Sequence, residues 1–134
     1  MRTIKAIIVG SVFIFVTLLL LQLVYVFVAV GYIKLAAYFP FLNNITDLFR
    51  YLIGIPVYII TMFVGGYITA SIANYHTNIK VWAHCLAVGL ITVGGMMYSV
   101  LGNSSLTITG IVITVLALGA TSAGGFYWLK YNDK

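Results

Sequence analysis

This chain of 134 residues has no glutamate, only two aspartates (Asp47 and Asp133), two prolines and a single cysteine, Cys85. Charged residues amount to 7% of the total, against about a quarter in a soluble domain. Seven basic and two acidic side chains cannot cover the surface of a soluble globule of this size. Long disordered segments are excluded as well, because disorder requires low hydrophobicity and high charge. A lone cysteine admits no intramolecular disulfide and leaves the redox compartment unmarked. The net charge of +5 comes from basic residues scattered singly. The clustered footprint of a nucleic-acid module is missing, and no nucleic-acid partner is expected.

What is present is apolar. Hydrophobic residues make up 63% of the chain and the mean hydropathy is +1.12, the composition of an integral membrane protein whose first partner is the lipid bilayer. The length allows one compact unit, so residues 1–134 are read as a single transmembrane domain. Four runs free of Lys, Arg, Asp and Glu predict transmembrane helices at about 6–33, 51–73, 81–101 and 106–129. Barrel strands are disfavoured, since uninterrupted apolar runs contradict the in-out alternation a barrel requires. The expected fold is an all-α membrane protein, a four-transmembrane-helix bundle. Its first run, 28 residues between Lys5 and Lys34, exceeds the length of about 20 needed to span a bilayer. It also exceeds the core of a signal peptide, about 7–15 residues, and is read as an uncleaved, tilted first helix.

Orientation follows from basic residues in short flanks. With the N-terminus inside, Arg2, Lys5, Lys80, Lys130 and Lys134 lie inside, and only Lys34 and Arg50 lie outside. Both termini are therefore expected in the cytoplasm. Tyr75, Trp82, Tyr127, Trp128 and Tyr131 form one aromatic belt, and Tyr32, Tyr38, Tyr51 and Tyr98 the other. The connection from Lys34 to Arg50 is too apolar to float in water and is expected along the outer interface, broken at Pro40. Asp47 is expected to cap the second helix, with Arg50 as a local partner, and Pro56 to kink it. Asn44-Ile-Thr46 and Asn103-Ser-Ser105 match glycosylation acceptors, which matter only in a secretory-pathway organism.

Chemistry is sparse. No ionisable side chain lies deep within a span, where a transport or proton-relay protein would carry one; Gln22 is the most polar mid-span residue. His76, His84 and Cys85 cluster near one side, but a metal site needs about four ligands. Adjacent helical residues such as His84 and Cys85 point about 100° apart. A haem held by two histidines lacks a second His at matching depth. His84 is therefore assigned a hydrogen bond or an interfacial anchor, His76 solvation, and Cys85 a small apolar role. No hydrolytic triad, phosphate loop or dinucleotide fingerprint is present. No catalytic, cofactor-binding or metal residues are expected, and an enzyme is not.

Small residues, by contrast, fall on defined faces. Gly66, Thr69, Ala70 and Ala73 share one stripe of the second helix, and Gly110, Ala117, Ala120, Thr121 and Gly124 share one of the fourth. Such faces let backbones approach closely where lipid provides no hydrophobic force between helices. Gly65-Gly66-Tyr67 recurs as Gly124-Gly125-Phe126 at an offset of 59, which suggests two pseudo-repeated helical hairpins. Gly65, Gly66, Ala70, Gly124 and Gly125 are the candidate helix-packing residues. The first helix, dominated by large apolar residues from Phe13 to Val28, is expected on the lipid-facing periphery.

The segment Gly65-Gly66-Tyr67-Ile68-Thr69-Ala70-Ser71-Ile72-Ala73, followed by Ala83-His84-Cys85-Leu86-Ala87-Val88-Gly89 and Ala123-Gly124-Gly125-Phe126, resembles a family of small bacterial inner-membrane proteins. These have four helices, a GGYxAxxIA-like segment, a short basic turn and an H-A-L-x-x-G-like opening of the third helix. The resemblance covers about the last two-thirds of the chain. It departs in the turn at 74–80, which is less basic, and at Cys85, which stands in place of Ala. That family carries no assigned activity, so the resemblance implies a fold and an inner-membrane location. The expected function is an accessory, scaffold or oligomerising component, partnered by its own copies or a larger membrane complex. The alternative is a small channel, permease or holin-like pore former, with Thr61, Thr69, Thr109, Thr114 and Thr121 lining a path.

Overall fold

A computed structural model describes residues 2–74, 77–100 and 107–132, and within these all side chains except those at 49, 50, 97–100, 107 and 109. Four helices follow in order: α1 (Arg2–Tyr38), α2 (Thr46–Ala73), α3 (Asn78–Val100) and α4 (Thr107–Asn132). Each is long and apolar enough to cross a membrane, and the chain is a multi-pass membrane protein. The segment 101–106, Tyr75, His76, Asp133 and Lys134 lie outside the described residues, as does the side chain of Arg50. The Asn103 acceptor, the solvated role of His76 and the Asp47–Arg50 pair therefore receive no structural account.

α1 outruns both its expected ends and α2 its expected start, because nothing local stops them. Lys34-Leu-Ala-Ala-Tyr continues α1 with good helix formers, and the helix ends only where Pro40 removes a backbone donor. Phe39 turns extended before that proline, as a residue preceding Pro must. Pro40–Asn44 then forms a single 3₁₀ turn. The connection is consequently much shorter than a loop from Lys34 to Arg50. Its fold-back is held by the Tyr32 hydroxyl, which donates to the Leu42 carbonyl, and by Thr46 Oγ1, which donates to the same oxygen at 3.1 Å. Asp47 does not cap α2. The residue at the cap is Ile45, with no side-chain bond, and Asp47 lies in the first turn, where its charge favours the positive end of the helix dipole. At the other end, Asn74 takes the left-handed conformation (φ 50°, ψ 43°) and its N–H returns to the Ala70 carbonyl at 2.9 Å. Asparagine tolerates that geometry and closes the helix.

Packing determines the layout. α2 has its most extensive contact with α4; α3 packs on α4, α1 on α2 and on α3, while among the described residues no Cα of α1 comes within 8 Å of one of α4. The core sits toward the end that carries both chain termini. One cluster joins Ile14, Met62, Val88, Val93, Ala117 and Ala120, and a second joins Ala70, Val81, Cys85, Trp128 and Leu129. At the opposite end α1 from Leu19 onward and α2 up to Pro56 are largely exposed. α1 is therefore peripheral only in part. Its first half buries Ala6, Gly10, Ser11 and Ile14.

Candidate helix-packing site

α2 and α4 meet backbone to backbone, and two glycines allow it. A Cβ added to Gly66 would lie 2.7 Å from the carbonyl carbon of Thr121, 2.8 Å from its Cα, and nearer still to its carbonyl oxygen. A Cβ added to Gly124 would lie 2.9 Å from both the carbonyl carbon of Phe63 and the amide nitrogen of Tyr67, and nearer still to the Phe63 oxygen. In each case the glycine hydrogen that replaces Cβ aims at a carbonyl oxygen of the facing helix, the arrangement of a Cα–H···O contact. Only glycine permits it, because the obstacle is backbone.

The two contacts are reciprocal. Gly66 meets Thr121, which precedes Gly124 by three, and Gly124 meets Phe63, which precedes Gly66 by three. The local twofold thus relates α2 to α4 at an offset of 58, one less than the Gly-Gly repeat in the sequence. It does not extend through the bundle. The backbones of α2 and α3 come within 8 Å at their Cα atoms, whereas those of the equivalent pair, α1 and α4, do not among the described residues.

Gly65 and Gly125 serve other neighbours. Gly65 is filled by the Ile14 side chain of α1, and Gly125 by Cys85 Sγ, with Val81 Cγ1 at 3.0 Å, on α3. One residue along a helix is a rotation of about 100°, so each Gly-Gly pair presents one glycine to the central contact and the next to a flanking helix. Ala70 is fully buried between α3 and α4, within the Val81, Cys85, Trp128 and Leu129 cluster. Sequence reasoning missed Gly10. A Cβ there would run into Thr69 Oγ1, and Ala6-x-x-x-Gly10 was the signal, hidden at the head of a helix whose middle is bulky.

The hydroxyls are turned back on their own helices. Thr61, Thr69, Thr92, Thr114 and Thr121 donate to the carbonyls four residues earlier at 2.7–2.8 Å. Thr69, Thr92 and Thr121 are fully buried. This is how a hydroxyl is satisfied in an apolar interior. Thr109 lies outside the residues whose side chains are described. His84 is buried and its Nδ1–H donates to the Lys80 carbonyl at 2.5 Å. Cys85 Sγ lies 3.7 Å from the Gly66 carbonyl. Among the described residues no three of His, Cys, Asp and Glu come together. Toward the termini Phe63, Tyr67, Tyr127 and Tyr131 form a chain of rings with centroids 5.8–6.4 Å apart. Tyr127, Tyr131 and Trp82 are exposed, as interfacial anchors are, whereas Trp128, expected in the same belt, is buried in the core cluster with Ala70 and Cys85.

No family model, no curated protein and no solved structure matches this chain.

Proposed function

We propose that this is a bacterial inner-membrane protein with both termini in the cytoplasm, acting through helix–helix association as an accessory or scaffold component of an oligomer or larger membrane assembly. The observation that carries the reading is the division of the helices into two regions. At one end the helices are locked by glycine-to-backbone contacts and self-satisfied hydroxyls. At the other, long apolar stretches of α1 and α2 lie exposed. Where lipid supplies no hydrophobic force, a tightly packed half holds the fold while an open half remains available to other helices. Thr61, Thr69, Thr114 and Thr121, four of the five threonines that would line a pore, spend their donors on their own helices, which supports association over conduction. The five-to-two distribution of basic residues supports the orientation, and the likeness to small four-helix inner-membrane proteins supports the location.

Purification of the tagged full chain in a mild detergent, followed by mass spectrometry of what accompanies it, tests this reading. A defined oligomer or a reproducible companion is expected. A strictly monomeric species without companions refutes it. Solute flux through proteoliposomes would instead support a channel, permease or holin-like pore.

A further inference from the structure

Deep in the exposed half of α1 stands a carboxamide that lipid cannot satisfy. From Leu19 to Leu35 no residue of α1 is buried, and only Leu21, Ala29 and Tyr32 are half-buried. Within that stretch Gln22 is exposed, and its carboxamide meets no hydrogen-bond partner among the described residues. It stands twelve residues before Lys34, about 18 Å along the helix axis, and so well inside the apolar run. A carboxamide has two N–H donors and a carbonyl acceptor, and acyl chains offer it neither water nor a partner.

We propose, on the reading of this protein as an oligomerising component, that two copies pair through the outer half of α1, with their Gln22 carboxamides bonded to each other. The choice of a second copy rests on symmetry and on the amide itself. A twofold axis along the membrane normal brings each residue to the same depth as its counterpart, and a carboxamide is its own complement, each N–H donating to the other's carbonyl. The surrounding spacing fits a helix pair. Leu19, Gln22, Val26, Ala29 and Ile33 follow the alternating three–four pattern of a left-handed seam. Leu19, Val26 and Ile33 are 65%, 55% and 68% exposed within one chain, and Ala29 is small enough to let backbones close. One turn below the stripe, Phe15 is already engaged, lying where a Cβ on Gly95 of α3 would be. The seam therefore begins at Leu19.

Disulfide trapping of the full chain in phosphatidylethanolamine–phosphatidylglycerol vesicles tests the pairing. In a Cys85→Ala background, Val26→Cys on the seam should form a dimer that persists on dilution with lipid, and Val24→Cys on the opposite face should not. Adding Gln22→Leu should lower the dimer fraction constant roughly three- to thirtyfold, the range of interhelical side-chain bonds in membranes, while Gln22→Asn retains much of it. The thermal stability of the Gln22→Leu monomer serves as the check that its own bundle is intact. Equal trapping from both faces, a dimer indifferent to Gln22→Leu, or a different protein captured in place of the second copy overturns the proposal. If Gln22→Leu still co-purifies in an undiminished assembly, the pairing falls and the scaffold reading stands. If the wild-type chain associates with nothing, both fall.

Discussion

Alanine placed at two glycines five residues apart on α4 should act with opposite sign. At Gly119 an added methyl meets nothing within 4 Å, so the substitution brings only the helix-propensity gain of alanine over glycine, about 1 kcal/mol. At Gly124 the same methyl falls against the Phe63 carbonyl and the Tyr67 amide of α2. Neither can swing aside as a side chain would. To restore ordinary carbon contact near 3.5 Å, α2 and α4 must separate by about 1 Å at their closest point. A gap of roughly 0.5–1 Å forfeits a quarter to a half of the dispersion well between the facing atoms, and overpacking of this kind costs on the order of 1–3 kcal/mol. That exceeds the propensity gain. Gly66→Ala, which meets the Thr121 backbone, should behave like Gly124→Ala. The double variant should cost less than the sum, because one separation relieves both clashes. Thermal unfolding in a fixed detergent, followed by helical circular dichroism, reads the order: Gly119→Ala at or above wild type, and Gly66→Ala and Gly124→Ala below it. A Gly124→Ala protein as stable as Gly119→Ala would refute the backbone contact between α2 and α4.

Gly10→Ala should also destabilise, but by collision with the Thr69 side chain, so Thr69→Ala in the same chain should recover part of the loss. No single side-chain removal should rescue Gly124→Ala, and thermal unfolding of the four variants makes the comparison. Cys85, fully buried, should resist maleimide in the folded protein and react once the bundle is denatured; rapid labelling of the native state would place it elsewhere. Reporter fusions should read cytoplasmic at the C-terminus and exported after Ser105, and an exported C-terminal reporter would overturn the orientation drawn from basic residues.

Hydropathy and charge alone determined the class, the number of spans and their order. These are local quantities: a run of about 20 apolar residues either is or is not long enough to cross a bilayer, and Lys, Arg, Asn and proline mark its ends. Pro40 ends α1 by removing a backbone donor and turning Phe39 extended, whereas α2 runs on through Pro56. The Gly65-Gly66 and Gly124-Gly125 pairs were visible as small-residue faces, and their depth followed from the alternating direction of the helices. Helix ends were less legible, since Leu35 to Tyr38 and Thr46 to Arg50 extend α1 and α2 without any mark in composition. The N-cap was misread at Asp47 because a carboxylate in the first turn serves the dipole as readily as the cap. Which face met which helix belonged to the tertiary structure. Gly65 turns to Ile14 of α1 while Gly66 turns to Thr121 of α4, and nothing in the two identical residues distinguishes them. In water, burial would have sorted the faces by polarity. In lipid the faces of these helices are apolar almost throughout, Gln22 and the self-bonded threonines aside, and the choice falls to shape, which exists only once four backbones are brought within contact of one another.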